Sequence, residues 1–395
     1  MAAKGEHYDD LEIRDPAQRE KDMGAALSEF IAHAQAKSAY YKDVLKGVDG
    51  KKTDSREALA ALPVTRKAEM AARQKSNPPL GGVNTVPLSE LSHIYMSPGP
   101  IFEPDTAEPD YWRFARGLFA AGARAGDIIH NTFSYHLTPA ASMVDSAAKA
   151  LGCPVIPAGV GNTEIQIEAI ARLRPVSYAG TPSFLAILMQ KAKELGADVS
   201  SIKNAFVGAE AFPPALKKEI AEFGIFVLES YGTGELGLIA YESPSREGMI
   251  IEEKILVEIV RPGTGDPVPE GEVGEVLVTN FNMAYPLIRY ATGDMSAVLP
   301  GISPCGRTNM RIRGWLGRAD PSTKFKGMFV HPSAVMQIAA RHPEITKARL
   351  VITSADNNDA MTLKFAAPGA DASLQQAVEA SIQAVLKLRG AAEQV

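Results

Sequence analysis

The chain of 395 residues is 46% hydrophobic and 22% charged, an ordinary globular balance with ample material for a large core. Its net charge of −5, from 41 Lys and Arg against 46 Asp and Glu, and the absence of any long run of like charges argue against a phosphate-backbone binder. Two cysteines, Cys153 and Cys305, are too few for a disulfide framework, and no apolar run approaches the roughly 18 residues of a membrane span. The first residues, MAAKGEHYDDLEIRD, lack the apolar stretch of a signal peptide, so a cytoplasmic protein handling a small molecule is expected, with no nucleic-acid or membrane partner. Length alone suggests two or three domains.

Residues 18–46 read as helical, with Ala26, Leu27, Phe30, Ile31 and Ala34 at helical spacing ahead of Tyr40 and Tyr41. A loop-rich stretch around Pro78, Pro79, Gly81 and Gly82 leads to an apolar-tinged segment, His93 to Met96. Short strands are then expected at 127–132, 153–157, 175–179 and 225–228, separated by helices. One helix, from Ala140 to Leu151, is ended by Gly152; another is opened by Thr163-Glu164-Ile165-Gln166, which has the capping-box pattern. Thr181-Pro182 supplies an N-cap and a first-turn proline, and Leu216, Ile220 and Phe223 mark one more helix. Such alternation predicts an α/β fold, a parallel sheet covered by helices on both faces.

The texture changes near Glu252. Alternating and β-branched runs at 255–260 and 274–279, with turn signals at Pro262-Gly263, Gly265-Asp266 and Glu270-Gly271, predict an antiparallel β-subdomain over about 252–316. From residue 321 to 395 a small α+β domain is expected: a strand–helix unit from Phe329 to Ala340, strands near 349–352 and Met361, and a helix from Ser373 to Leu388. The large domain would then span 1–320.

Four glycine-rich clusters stand out in order: Gly180-Thr181-Pro182-Ser183, Gly208-Ala209-Glu210, Tyr231-Gly232-Thr233-Gly234-Glu235 and Tyr290-Ala291-Thr292-Gly293-Asp294. Gly317-Arg318-Ala319-Asp320 and the segment from Lys326 to Pro332 follow. By residue type alone, Tyr231-Gly232 also reads, as the lesser alternative, as a strand-to-loop turn and Asp294 as a turn aspartate, while Arg318 with Asp320 is equally a surface ion pair. Phe133 and Tyr135 are equally plain core residues, His136 is more often a partly buried, hydrogen-bonded residue than a catalyst, Cys153 reads as an inert buried thiol, and Cys305 has no clustered metal-binding partner.

As a set, these clusters resemble the adenylate-forming superfamily, and most closely the phenylacetate–coenzyme A ligase family, over roughly residues 90 to 390. The resemblance implies a two-step reaction: a carboxylate attacks the α-phosphate of ATP to give an acyl-adenylate, and a thiol then displaces AMP. A negative nucleophile approaching a negative phosphate requires charge neutralisation by a cation and fixed donors. The implied cofactors are ATP or AMP, Mg²⁺ and coenzyme A, and the implied partner is a small aromatic carboxylic acid; a homodimer is the commonest assembly. Tyr231 would stack on adenine, with Gly232 and Thr233 beside it and Gly208, Ala209 and Glu210 as the opposite wall. Glu235 would be the Mg²⁺ ligand, Asp294 would bind the ribose hydroxyls, Arg318 would reach the ribose or phosphate, and Asp320 would be the hinge. Phe133, Tyr135 and His136 would line an acyl pocket suited to an aryl or arylacetic acid.

Two departures from the family pattern bear on activity. The Ser/Thr/Gly-rich phosphate loop, of the form SSGTTGKP, corresponds here to Ser97-Pro98-Gly99-Pro100-Ile101-Phe102-Glu103-Pro104, with hydroxyls lost and the lysine replaced by Glu103, a carboxylate expected to repel a polyphosphate. The chain also stops at Val395, before the segment that carries a lysine for adenylation. Gly234 stands where a hydroxyl residue is usual, and Ala291 where an arginine is. The expectation is an acid–thiol ligase whose pyrophosphate-side contacts are weakened. The alternatives are a homologue performing only a partial reaction, a protein that binds AMP, coenzyme A or an aryl acid without turnover, and a subunit completed by a partner chain.

Overall fold

In the computed structural model the described residues are 6–97, 100–319, 323–325, 328–330, 332–355, 358–368 and 372–395. The chain divides into two compact units, Met1–Ala319 and Asp320–Val395.

In the first unit, five short apolar runs pair in parallel in the order Val155–Pro157, Ile129–Asn131, Ser177–Gly180, Asn204–Val207 and Phe226–Thr233. Helices Ala140–Leu151, Thr163–Leu173, Pro182–Leu195 and Pro214–Ala221 make the crossovers. The chain leaves Ile129–Asn131 for Val155–Pro157 and returns on its other side to Ser177–Gly180, a reversal of strand order of the kind that places ligands beyond the strands' carboxyl ends. The sheet is larger and more mixed than expected. Phe226–Thr233 runs on through Tyr231 and Gly232, with a bulge between them, and pairs antiparallel with Gly237–Glu242; Met249–Ile251, Arg311–Ile312 and Val298–Leu299 complete nine strands among the described residues. Tyr231-Gly232 is therefore strand, not turn.

The expected β-subdomain exists with altered membership. Ile255–Val260, Gly274–Asn280 and Tyr290–Ser296 are antiparallel, but Thr65–Arg66, far upstream, adds in parallel to Tyr290–Ser296. Every residue of Ile255–Val260 and Gly274–Asn280 is buried, so these strands are covered on both faces. Most of their apolar residues share one core with Leu27, Phe30, Ile31 and Tyr41 from the first helices, while Val260 and Leu277 pack with Ala291 in a separate cluster. Those helices are two, Pro16–Lys37 and Ala39–Val44. The break is Ser38, whose hydroxyl accepts from Tyr41 N at 3.3 Å and donates to Gly82 O at 2.9 Å.

Two local expectations resolve differently. Thr181 caps Pro182–Leu195 by accepting from Phe184 N, with proline in the first turn, as its sequence predicts. Thr163 makes no capping box: the preceding Asn162 is left-handed without a side-chain cap, and Gln166 instead donates to Gly159 O and Gly161 O and bonds His130 Nε2 at 2.8 Å.

The second unit holds Lys347–Ala355 antiparallel to Asn358–Ala366, with Ala391–Gln394, a strand the sequence pattern did not signal, parallel to the latter. Helices Pro332–Ala339 and Ala372–Leu386 supply Ile338, Val378 and Ile382 to its core with Leu363 and Phe365. No helix among the described residues is long and apolar enough to cross a membrane.

Candidate active site

The carboxyl ends of the parallel strands gather the glycine-rich clusters. Ser177–Gly180 delivers Gly180 to Ser183, Asn204–Val207 delivers Gly208 to Glu210, and Phe226–Thr233 delivers Tyr231 to Glu235. Glu210 accepts from Ser183 N at 2.7 Å, joining the first two loops. Gly208 is required by close approach, since a Cβ there would run into Ser230 Oγ of the adjacent strand. Ala209 holds the left-handed φ of 67° that this turn imposes.

The strand Tyr290–Ser296 meets these loops from the smaller sheet; Tyr290 reaches Glu235, and Thr292 and Asp294, across an irregularity at Gly293, reach Tyr231. Asp294, 5% exposed, is the hub. Its Oδ2 accepts from Tyr231 OH at 3.0 Å, and its Oδ1 accepts from Trp315 Nε1 at 3.0 Å and Arg318 Nη1 at 2.9 Å. Arg318 Nη1 also donates to Thr292 O at 2.9 Å. Arg318 is thus the partner of Asp294; Asp320 lies outside the described residues. Gly293, at φ 72°, leaves room for the guanidinium, whose Cζ would be 2.9 Å from a Cβ there. Burial first, and then the Asp294 charge, push the Tyr231 phenol well above its ordinary range, so it stays a neutral donor.

Glu235 lies one strand end away, 6% exposed. Its Oε1 sits 2.5 Å from Lys67 Nζ and accepts from Tyr290 OH at 3.1 Å. Burial would raise its pKa, but the Lys67 charge and hydrogen bond, with other donors, outweigh it and hold the carboxyl below its usual value. Lys67, the first residue of helix Lys67–Ser76, follows the strand Thr65–Arg66 that pairs beside Tyr290 and Ala291. Nothing local in the sequence marks Lys67 or Trp315 as site residues, whereas Tyr290 opens one of the clusters; it is the pairing of distant segments that brings Lys67 and Trp315 there.

The segment corresponding to the phosphate loop is a β-hairpin, His93–Ser97 with Ile101–Asp105; Gly99 lies outside the described residues. Ser97 and Glu103 pack against Gly234: a Cβ there would collide with Ser97 Oγ and lie 3.6 Å from Glu103 Oε1. Glu103 is 1% exposed, and neither of its oxygens makes a well-formed hydrogen bond among the described residues. Burial, and secondarily Glu235, push its pKa up to about 9, so in this state it carries a proton at neutral pH. The fixed charge expected to repel a polyphosphate is therefore absent here.

Met96 N donates to Leu137 O at 2.9 Å, tying the hairpin to the segment expected to line the acyl pocket. Phe133 there is half-buried against the core. Tyr135, 41% exposed, accepts from Asn131 Nδ2 and donates to Asp145 Oδ1 at 2.9 Å, while His136 is exposed. Cys153 is a buried free thiol whose Sγ donates to Arg124 O. Among the described residues, no three His, Cys, Asp or Glu are grouped to hold a metal. The Glu235 carboxylate, the Glu103 carboxyl once its proton is released, and the Ser97 hydroxyl nonetheless make a hard-oxygen donor set that fits Mg²⁺, provided the Lys67 ammonium moves aside.

A family model described as AMP-binding enzyme matches residues 124–285. The phenylacetate–coenzyme A ligase of Thermus thermophilus is 32% identical over 336 residues, 81% of this chain and 74% of that protein. That of Aromatoleum evansii is 28% identical over 385 residues, 92% of this chain and 86% of that protein. Among solved structures, 2-hydroxyisobutyryl-CoA ligase in complex with 2-HIB-AMP and CoA superposes with a TM-score of 0.89 at 23% identity, covering 100% of this chain and 90% of that one, a likeness of fold. By sequence and fold together, the chain belongs to the phenylacetate–coenzyme A ligase family of the adenylate-forming superfamily.

Proposed function

We propose that this protein joins a carboxylic acid to coenzyme A through an acyl-adenylate, and that the acid is an aryl or arylacetic acid. The observation that carries the reading is the convergence of Tyr231, Trp315 and Arg318 on the buried Asp294. A carboxylate ringed by donors is suited to exchange them for the two hydroxyls of a ribose. Tyr231 then offers its ring to adenine, with Gly208, Ala209 and Glu210 opposite, and Arg318 is left to face the ribose or phosphate. Family relatives named as phenylacetate–coenzyme A ligases support the choice of acid and thiol. So do Phe133 and Tyr135 at the loop beside the hairpin.

A bound Mg²⁺ would be held by Glu235 and would supply the positive charge that a polyphosphate needs. The remaining work falls to the chain: binding the nucleotide, orienting the acid and keeping water from the mixed anhydride. The packing of Ser97 and Glu103 against Gly234 favours a second reading, in which only the thiol-transfer half-reaction operates on a preformed adenylate. ATP–pyrophosphate exchange over a panel of aryl and arylacetic acids separates the two. Exchange with at least one acid is expected; no exchange with any acid, alongside AMP binding and acyl transfer from a synthetic adenylate, would leave the half-reaction.

A further inference from the structure

We infer that Glu103 and Glu235 together form a divalent-cation site, with Glu103 of the hairpin as its second acidic ligand. The inference rests on the adenylate-forming reading of this site and assigns it one more residue.

Glu103 is 1% exposed, and both of its oxygens are buried without a well-formed hydrogen bond among the described residues, the Ser97 hydroxyl and N–H being nearby donors that offset its burial only in part. Polar atoms left so are costly, and a side chain that merely filled space would be better made of carbon. These oxygens face the chemistry: Oε1 lies 3.6 Å from the point where a side chain on Gly234 would begin, one residue before Glu235. The missing side chain of Gly234 is what leaves room for Ser97 and Glu103 to approach; any Cβ there would collide with Ser97 Oγ. Gly234, Ser97 and Glu103 therefore belong to one packed arrangement.

The donors are the Glu235 carboxylate, the Glu103 carboxyl, which gives up its proton to solvent as the cation binds, and the Ser97 hydroxyl; with neither histidine nor cysteine, the set selects a hard cation such as Mg²⁺ or Mn²⁺ over zinc. Cations of this kind are commonly held by one or two carboxylates, with water and substrate phosphates completing the shell. The Lys67 ammonium, 2.5 Å from Glu235 Oε1, supplies a single charge at the same carboxylate. Its side chain is 35% exposed, so it has a route outward when a doubly charged ion arrives. On this arrangement the positive charge beside the hairpin comes from an ion held by Glu103 and Glu235.

The test uses the full chain, Mn²⁺ alone and no nucleotide, with free Mn²⁺ read by electron paramagnetic resonance. Wild type is expected to bind one equivalent, Glu103→Gln to bind about tenfold more weakly or worse, and Lys67→Met to bind at least ~3-fold more tightly as the competing charge is removed. Absence of Mn²⁺ binding by wild type, or unchanged affinity in Glu103→Gln, overturns the site. Should Glu103→Gln fail to fold, Lys67→Met decides alone, and unchanged affinity there overturns it. AMP binding measured in parallel separates the two levels. Intact AMP binding without Mn²⁺ binding removes the cation site and leaves the proposed function standing, whereas Mn²⁺ binding without AMP binding does the reverse.

Discussion

Lys67 Nζ lies 2.5 Å from Glu235 Oε1, so the first turn of one helix supplies the counter-charge for a carboxylate at the end of a strand in the other sheet. Glu235 is buried, with Tyr290 OH as its further donor. Removing the ammonium leaves a buried charge with hydrogen bonds alone. Lys67→Met should therefore destabilise the protein by roughly 1–3 kcal/mol, the lower part of the range for breaking a buried pair, because Lys67 keeps partial solvent access. Adding Glu235→Gln should restore part of the loss. Urea unfolding of both single variants and the double variant checks this; strictly additive effects would mean that the pair is not coupled.

The hairpin makes a second coupled pair. A methyl group on Gly234 would collide with Ser97 Oγ and lie 3.3 Å from Ser97 Cβ. Gly234→Ala should cost about 1–3 kcal/mol through overpacking, and Ser97→Gly in the same chain should relieve most of it. Thermal unfolding of the two single variants and the double variant measures the coupling. If Gly234→Ala proves as stable as wild type, the hairpin does not pack against Gly234.

Much of the fold was legible because its signals are local. The strand at Ser177–Gly180 and the cap at Thr181 follow from residues within one turn of each other. The nucleotide-side clusters were legible because each is a contiguous run at a strand end. What escaped was non-local: Lys67 is a lone lysine whose meaning comes from the pairing of Thr65–Arg66 beside Tyr290. Trp315 escaped for the same reason, since residues 316–319 pair alongside Met295 and Gly293 through backbone bonds with no periodic signature. Glu103 was legible as a departure, but its charge state was not, because burial and proximity to Glu235 decide it.

Asp110 gives the fold a titratable feature away from the nucleotide. Its oxygens accept from Ala115 N at 3.1 and 3.2 Å at the start of helix Ala115–Ala121. Burial, with Glu252 adding repulsion, nevertheless pushes its pKa from 3.8 up to about 7. Between those values the unfolded chain releases this proton while the folded chain keeps it. The folded state therefore binds more protons, and this group's contribution to stability falls as pH rises from about 4 to 7, then levels. Asp110→Asn retains an acceptor for Ala115 N and cannot ionise. The stability difference between wild type and Asp110→Asn should shift by roughly 2–4 kcal/mol in the variant's favour across that window. Parallel pH profiles would contradict the assignment.

The chain's two tryptophans make the nucleotide site optically addressable. Trp112 is 2% exposed, whereas Trp315 is 50% exposed and donates its indole N–H to Asp294 Oδ1 at 3.0 Å. If Asp294 takes the ribose hydroxyls, it must give up or share the indole and guanidinium donors, and Trp315 moves into a new environment. Titration with AMP should change the tryptophan emission of wild type and leave that of Trp315→Phe unchanged, while calorimetry still detects AMP binding in the latter. Asp294→Ala should weaken AMP binding about 10–100-fold, the worth of hydrogen bonds to a charged acceptor. It should also shift the Trp315 emission before any ligand is added, because the indole loses its partner. AMP binding at wild-type strength in Asp294→Ala would remove the ribose from this carboxylate, and the Tyr231, Trp315 and Arg318 contacts would then be ones that hold the two sheets together.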